Sequence, residues 1–125
     1  MPHPLEHSAA SRPLFEREAA DLADGMAMFA TASRLRILYA LLDGERSVDE
    51  LAEVTGRTPN TVSQQLRLLR STRLVRVQRA GRRAIYALHD PHVADLLEAV
   101  RHHAEHAARG WAETDARQTE TQVSR

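Results

Sequence analysis

Residues 47–88, SVDELAEVTGRTPNTVSQQLRLLRSTRLVRVQRAGRRAIYAL, decide the fold. Ser47 followed three residues later by Glu50 is a capping-box pattern, and it opens a short helix, VDELAEVTG, that stops at Gly56. Thr58 or Asn60 can cap a second helix from about Pro59 to Ser71, in which Val62, Leu66 and Leu69 face inward at helical spacing. Its open side then shows Asn60, Thr61, Ser63, Gln64, Arg67 and Arg70. Past Thr72 the period changes from helical to alternating: LVRVQ and AIYAL are β-prone runs on either side of the turn RAGRR, a hairpin. Its tip, Arg79 to Arg83, is too basic to be buried and is expected to project as a wing. Two short helices, a tight turn and a basic hairpin are the layout of a winged helix-turn-helix.

Working outward, a helix is predicted from Leu14 to Phe29 with Leu14, Ala19, Leu22 and Met26 on its buried side. Thr31 or Ser33 caps the next, whose stripe of Leu35, Leu38, Leu41 and Leu42 ends at Asp43 and Gly44. After the hairpin, His89, Asp90 and Pro91 break the strand and start a last helix, with Pro91 where a missing N–H costs little. The predicted class is mainly α with a β-hairpin wing, in one domain spanning residues 14–109. Residues 1–13 are expected to form a flexible arm, and residues 110–125, which lose the apolar pattern, a flexible tail.

At 125 residues the chain holds one small core, which a partner subunit would help to cover. With 4% aromatic residues, that core must be aliphatic. No apolar run is long enough for a membrane helix and the start, MPHPLEH, does not read as a signal peptide, so a cytoplasmic protein is expected. The absence of cysteine excludes disulfides and thiolate metal sites, leaving His, Asp and Glu as strong ligands. Net charge is zero but unevenly spread: Arg57 to Arg83 holds eight arginines and no acid, which favours a polyanionic partner. Thr61, Ser63, Gln64 and Gln65 suit base edges in a major groove, and Arg67 and Arg70 suit edges or phosphates. The wing arginines Arg79, Arg82 and Arg83 would contact phosphates or reach a minor groove. A merely solvated arginine face is the plainer alternative, and it leaves the helix-turn-helix and hairpin unexplained.

The segment HDPHVADLLEAVRHHAEH, residues 89–106, gathers five of the seven histidines while keeping Val93, Leu96, Leu97 and Val100 at helical spacing. His92 and His103 are eleven residues apart, which at roughly 100° per residue returns to the same face, with His106 one turn further on. Along the axis they are separated by roughly 16 Å, while metal–nitrogen bonds are only about 2 Å, so one helix cannot gather them. A second copy lying antiparallel brings the Asp90/His92 end of one helix to the His103/His106 end of the other. A two-fold pair builds that carboxylate-plus-three-imidazole set twice, with the apolar stripe as the dimer seam.

The stretches TASRLRILYALL and TVSQQLRLLRSTRLVRVQRAGRRAIYAL, with the Asp-x-His and His-x-x-His pairs of the last helix, resemble the ArsR/SmtB family of winged-helix metal-responsive repressors over about residues 20–107. The resemblance implies a homodimeric repressor of metal-efflux or resistance genes that leaves operator DNA when metal binds. Its implied sensing site is Asp90 and His92 of one protomer with His103 and His106 of the other, in agreement with the spacing. Two departures stand out. The cysteine pair of the arsenic, cadmium and lead branch would lie near residues 51–54, which read LAEV, and a histidine common early in the family's reading helix is Gln64.

Three imidazoles and a carboxylate suit tetrahedral Zn²⁺, or Ni²⁺ and Co²⁺ if further ligands such as His3 and His7 join from the arm. His102 is expected to be a neighbour of the site and His89 structural. Metal would clamp the last helices so that the two reading heads no longer match the operator. Binding should weaken below about pH 6.5, where imidazoles protonate. The alternatives are a winged-helix regulator that is constitutive or answers to a small molecule, a metallohydrolase, and a metal store. No nucleophile motif or open coordination position supports the second, and the basic block argues against the third.

Overall fold

The computed structural model of the chain describes the backbone of residues 12–123 and the side chains of residues 12–110. The helices are α1 (Glu16–Ala27), α2 (Ala32–Leu42), α3 (Val48–Thr55), α4 (Pro59–Ser71) and α5 (Pro91–Val123), and the strands are β1 (Arg46–Ser47), β2 (Val75–Ala80) and β3 (Arg83–Leu88). The helix starts follow from local bonding. Thr31 Oγ1 accepts from the Arg34 N–H at 3.2 Å, Thr58 Oγ1 from the Thr61 N–H at 3.2 Å, and Ser47 Oγ from the Glu50 N–H at 3.2 Å. Glu50 Oε1 returns the favour to the Ser47 N–H at 3.1 Å, completing the box. Gly56 ends α3 in the left-handed region at φ 67°, where a side chain is disfavoured. At the end of α4 it is Arg73 that takes φ 62°, with Arg73 N–H donating to Arg70 O and Leu74 N–H to Leu69 O, a Schellman pair made without glycine.

The core forms where these elements meet. Ile37, Leu38 and Leu41 of α2, Leu51 of α3, Val62, Leu66 and Leu69 of α4, Val75 of β2, and Val93 and Leu97 of α5 are all buried together. The Tyr39 hydroxyl donates to Leu97 O at 2.7 Å, fixing α5 against α2. Three antiparallel strands lie in the order β1-β3-β2, with Arg46 opposite Tyr86 and Ser47 opposite Ile85. The wing is tighter than the sequence predicts: the strands reach Ala80 and Arg83, which pair directly and leave a two-residue tip at Gly81 (φ 66°) and Arg82.

Three expectations need correction. Leu14, Leu22 and Met26 are 54%, 51% and 68% exposed, and α1 buries no residue, so the apolar side assigned to the core faces outward in a single chain. The stripe on the last helix divides: Val93 and Leu97 enter the chain's own core, while Leu96 and Val100 stay exposed. The helix also continues through Val123 where a tail was expected from residue 110; residues 111–123 contain neither proline nor glycine to stop it. Residues 1–11, most of the predicted arm, lie outside the described residues.

Candidate nucleic-acid interface and candidate metal centre

The open side of α4 is built by exclusion. Val62, Leu66 and Leu69 fix one face in the core, so at about 100° per residue Asn60, Gln64 and Arg67 point most directly away from it, with Thr61, Ser63 and Arg70 on the flanks. The side chains of Asn60, Gln64, Arg67 and Arg70 are exposed and have no partner among the described residues, which leaves their donors and acceptors available to a duplex. Thr61 is less free, because its hydroxyl accepts from the Thr58 hydroxyl at 2.9 Å. Gln65 lies at the edge of the buried face, half-buried, and its Oε1 accepts from Arg34 Nε at 3.4 Å.

In the wing the arginines divide by partner. Arg83 Nη2 donates to Ser47 Oγ at 2.9 Å and to Glu50 Oε1 at 3.2 Å, so it braces β3 against the start of α3. Arg76 sits 3.8 Å from Glu45. Arg79 and Arg82 carry no ion pair among the described residues and are the wing's free cations. Glu50 is held below the usual carboxylate range first by the Ser47 N–H, then by the Ser47 hydroxyl; desolvation opposes them, and Arg83 and Arg46 each add less to the lowering than desolvation takes from it.

At the start of α5, Asp90 serves as the helix cap: its Oδ1 accepts from the His92 N–H at 2.8 Å and the Val93 N–H at 3.3 Å. His92 Nδ1 lies 3.3 Å from the same oxygen, and its ring is 93% exposed. Desolvation pushes the Asp90 pKa upward, but the Val93 and His92 amides, with His92 and His89 nearby, outweigh it and keep the carboxyl below its ordinary value. Both residues border a cleft of about 360 Å³ that α1 lines with Asp21, Leu22 and Met26. His103 and His106 are exposed further along the helix, where His106 stacks on His102 at 6.5 Å between centroids. Among the described residues no three His, Asp or Glu side chains of one chain come together as a metal site. Asp90 and His92 lie together at the start of α5 and His103 and His106 farther along it, while His3 and His7 lie outside the described residues.

One residue of this surface was not legible in the sequence. Arg34 shows no periodic or motif signal of its own, yet it reaches both Gln65 of α4 and the carbonyls ending α1.

Residues 31–77 match the family model described as bacterial regulatory protein, arsR family. The HTH-type transcriptional regulator NmtR of Mycobacterium tuberculosis is 44% identical over 107 residues, covering 85% of this chain and 89% of that protein. The transcriptional repressor SmtB homolog of Synechocystis is 41% identical over 86 residues, 69% of this chain and 65% of its own length. Among solved structures, that of apo-NmtR superposes with a TM-score of 0.68 at 46% identity, over 77% of this chain and 81% of that one. The homodimeric winged helix-turn-helix DNA-binding domain Mb0332 of Mycobacterium bovis gives a TM-score of 0.68 at 35% identity, over 78% of this chain and 93% of that one. Among the described residues no helix is long and apolar enough to cross a membrane.

Proposed function

Because the chain belongs to the arsR family of bacterial regulatory proteins, DNA-binding regulators and not enzymes, we propose that it is a homodimeric repressor whose hold on operator DNA is released by a divalent transition metal. The observation that carries the metal reading is the division of donors along α5: Asp90 and His92 at its start, His103 and His106 about three turns on, all solvent-facing or at a cleft edge and none sufficient alone. Antiparallel pairing of two α5 helices puts Asp90 and His92 beside the partner's His103 and the partner's His106. The exposed apolar residues of α1 and α5, Leu22, Met26, Leu96 and Val100, supply the face for that pairing.

Imidazole and carboxylate donors without thiolate fit Zn²⁺, Ni²⁺ or Co²⁺ and disfavour thiophilic ions. When bound, the ion supplies a cross-link between subunits. The chain's own residues do the rest. Asp90 arrives oriented by two backbone amides, and α5 is tied through Tyr39 to α2 and the core that carries α4, so a constraint on α5 bears on where the two α4 faces stand. By linkage, DNA and metal then weaken each other by the same factor, typically about 5- to 150-fold.

Co²⁺ titration of the metal-free protein tests this, since its visible absorption distinguishes four from six ligands. The expected result is one ion per protomer, weakened by DNA, with His103→Gln losing the metal response but keeping metal-free DNA binding. A DNA complex indifferent to Zn²⁺, Ni²⁺ and Co²⁺ would indicate a constitutive or small-molecule-responsive regulator instead.

A further inference from the structure

Arg34 stands three residues after the Thr31 cap, near the corner between α1 and α2, and its side chain makes three contacts with uncharged oxygens. Nη1 donates to Ala27 O at 3.4 Å and to Met28 O at 3.3 Å, and Nε donates to Gln65 Oε1 at 3.4 Å. The first two acceptors are carbonyls at and just past the end of α1; Ala27 O also accepts from the Ala30 N–H at 3.0 Å, so the guanidinium adds a second bond there. No carboxylate pairs with Arg34 among the described residues, so a part-buried cation is held by this set alone. Each bond is long and individually weak. A planar guanidinium nevertheless fixes three directions at once, which a lysine ammonium on its flexible stem does not.

The far end of this tie is on the reading helix. A guanidinium only donates, so the Gln65 oxygen must face Arg34 and the carboxamide NH₂ is the group left over. The bond engages one of the two lone pairs of the Gln65 oxygen and so restricts how the carboxamide can turn toward a base edge.

We propose that Arg34 is a positioning residue for operator recognition, its guanidinium tying the α1–α2 corner to Gln65 and so setting the angle at which α4 presents Asn60, Gln64 and Arg67. The proposal rests on DNA binding through the α4 face and not on metal sensing. It concerns the corner that joins α1, whose apolar side faces outward, to the domain that carries the reading face.

The test uses the full chain in metal-free buffer, with a duplex that it enriches from a random-sequence pool. Arg34→Lys, Arg34→Met, Gln65→Met and the double variants are compared by fluorescence anisotropy over a range of salt. Arg34→Met and Arg34→Lys should each weaken binding by about three- to tenfold, as expected for losing a charge-assisted contact set. The dependence of log affinity on log salt should stay as in the parent. Gln65→Met should give a similar loss, and each double variant no more than its worse single, since both break one tie. A salt slope reduced by about one ion in Arg34→Met would mean a phosphate contact and overturn the proposal. So would additive losses, or Arg34→Lys matching the parent. Should Arg34→Met fail to fold, by its far-UV circular dichroism, Arg34→Lys, Gln65→Met and their double complete the same cycle. A parent chain that enriches no duplex ends the DNA reading and this proposal with it. Parent binding with unaffected variants ends this proposal alone.

Discussion

Asp90 caps α5, and in the proposed metal site the same side chain would also be a ligand. Its Oδ1 accepts from the amides of His92 and Val93, so the carboxylate both starts α5 and holds His92 beside it. Asparagine caps a helix as well as aspartate does, whereas alanine does not, at a cost of about 1 kcal/mol. Asp90→Asn should therefore keep the urea midpoint of the parent and lose affinity for Co²⁺, while Asp90→Ala should lose both. Equal metal affinity in Asp90→Asn and the parent would remove the carboxylate from the ligand set. Glu50 supports a second residue-scale prediction. Its carboxyl is held below the ordinary 4.5, so the stabilisation it brings is present above that value and is lost as pH falls through the lowered one. The parent should lose stability on acidification through that window more steeply than Glu50→Gln does, read as urea midpoints at successive pH values. Arg83, which shares Glu50 with Ser47, should then become more mobile in the same window.

Among the elements, helix starts and stops are the most legible, because each start is a local bond between residues three apart and a stop such as that of α3 is marked by a glycine. Gly56 is such a stop: it sits at φ 67° with open space around its α-carbon, so alanine there meets strain alone. Gly56→Ala should cost about 1 kcal/mol, measurable by urea unfolding, with the fold retained. Strand β1 was not legible, because two residues have no period, and its pairing with β3 depends on the α2–α3 turn delivering Arg46 beside Tyr86. Arg34 was hidden for a related reason. Its partners are carbonyls and a glutamine 31 positions away, and neither leaves a pattern in the chain. That one helix cannot unite Asp90 and His92 with His103 and His106 was legible from helical spacing alone, whereas which apolar residues of α1 and α5 the chain itself buries was not. Periodicity marks a face as apolar and does not say whether this chain or a second copy covers it.

The whole molecule is incomplete as one chain in just that respect, and the division of the α5 stripe makes the point testable. Leu97 is 2% exposed and belongs to the core, while its neighbour Leu96 is 43% exposed, alongside Val100 at 52% and Met26 at 68%. Removing the Leu97 side chain leaves a cavity among Leu38, Val93 and their neighbours, so Leu97→Ala should destabilise the protein by about 2 to 5 kcal/mol. Leu96→Asp removes nothing from that core and instead places a charge on the face proposed to pair. It should leave the helical circular dichroism of the parent intact while sedimentation shifts from dimer to monomer. Metal and DNA affinity should then fall together: the two proposed ligand pairs no longer meet, and two reading heads no longer share one duplex. If Leu96→Asp stayed dimeric, the pairing face would have to lie elsewhere, and the two ends of α5 could not complete one another's ligand set.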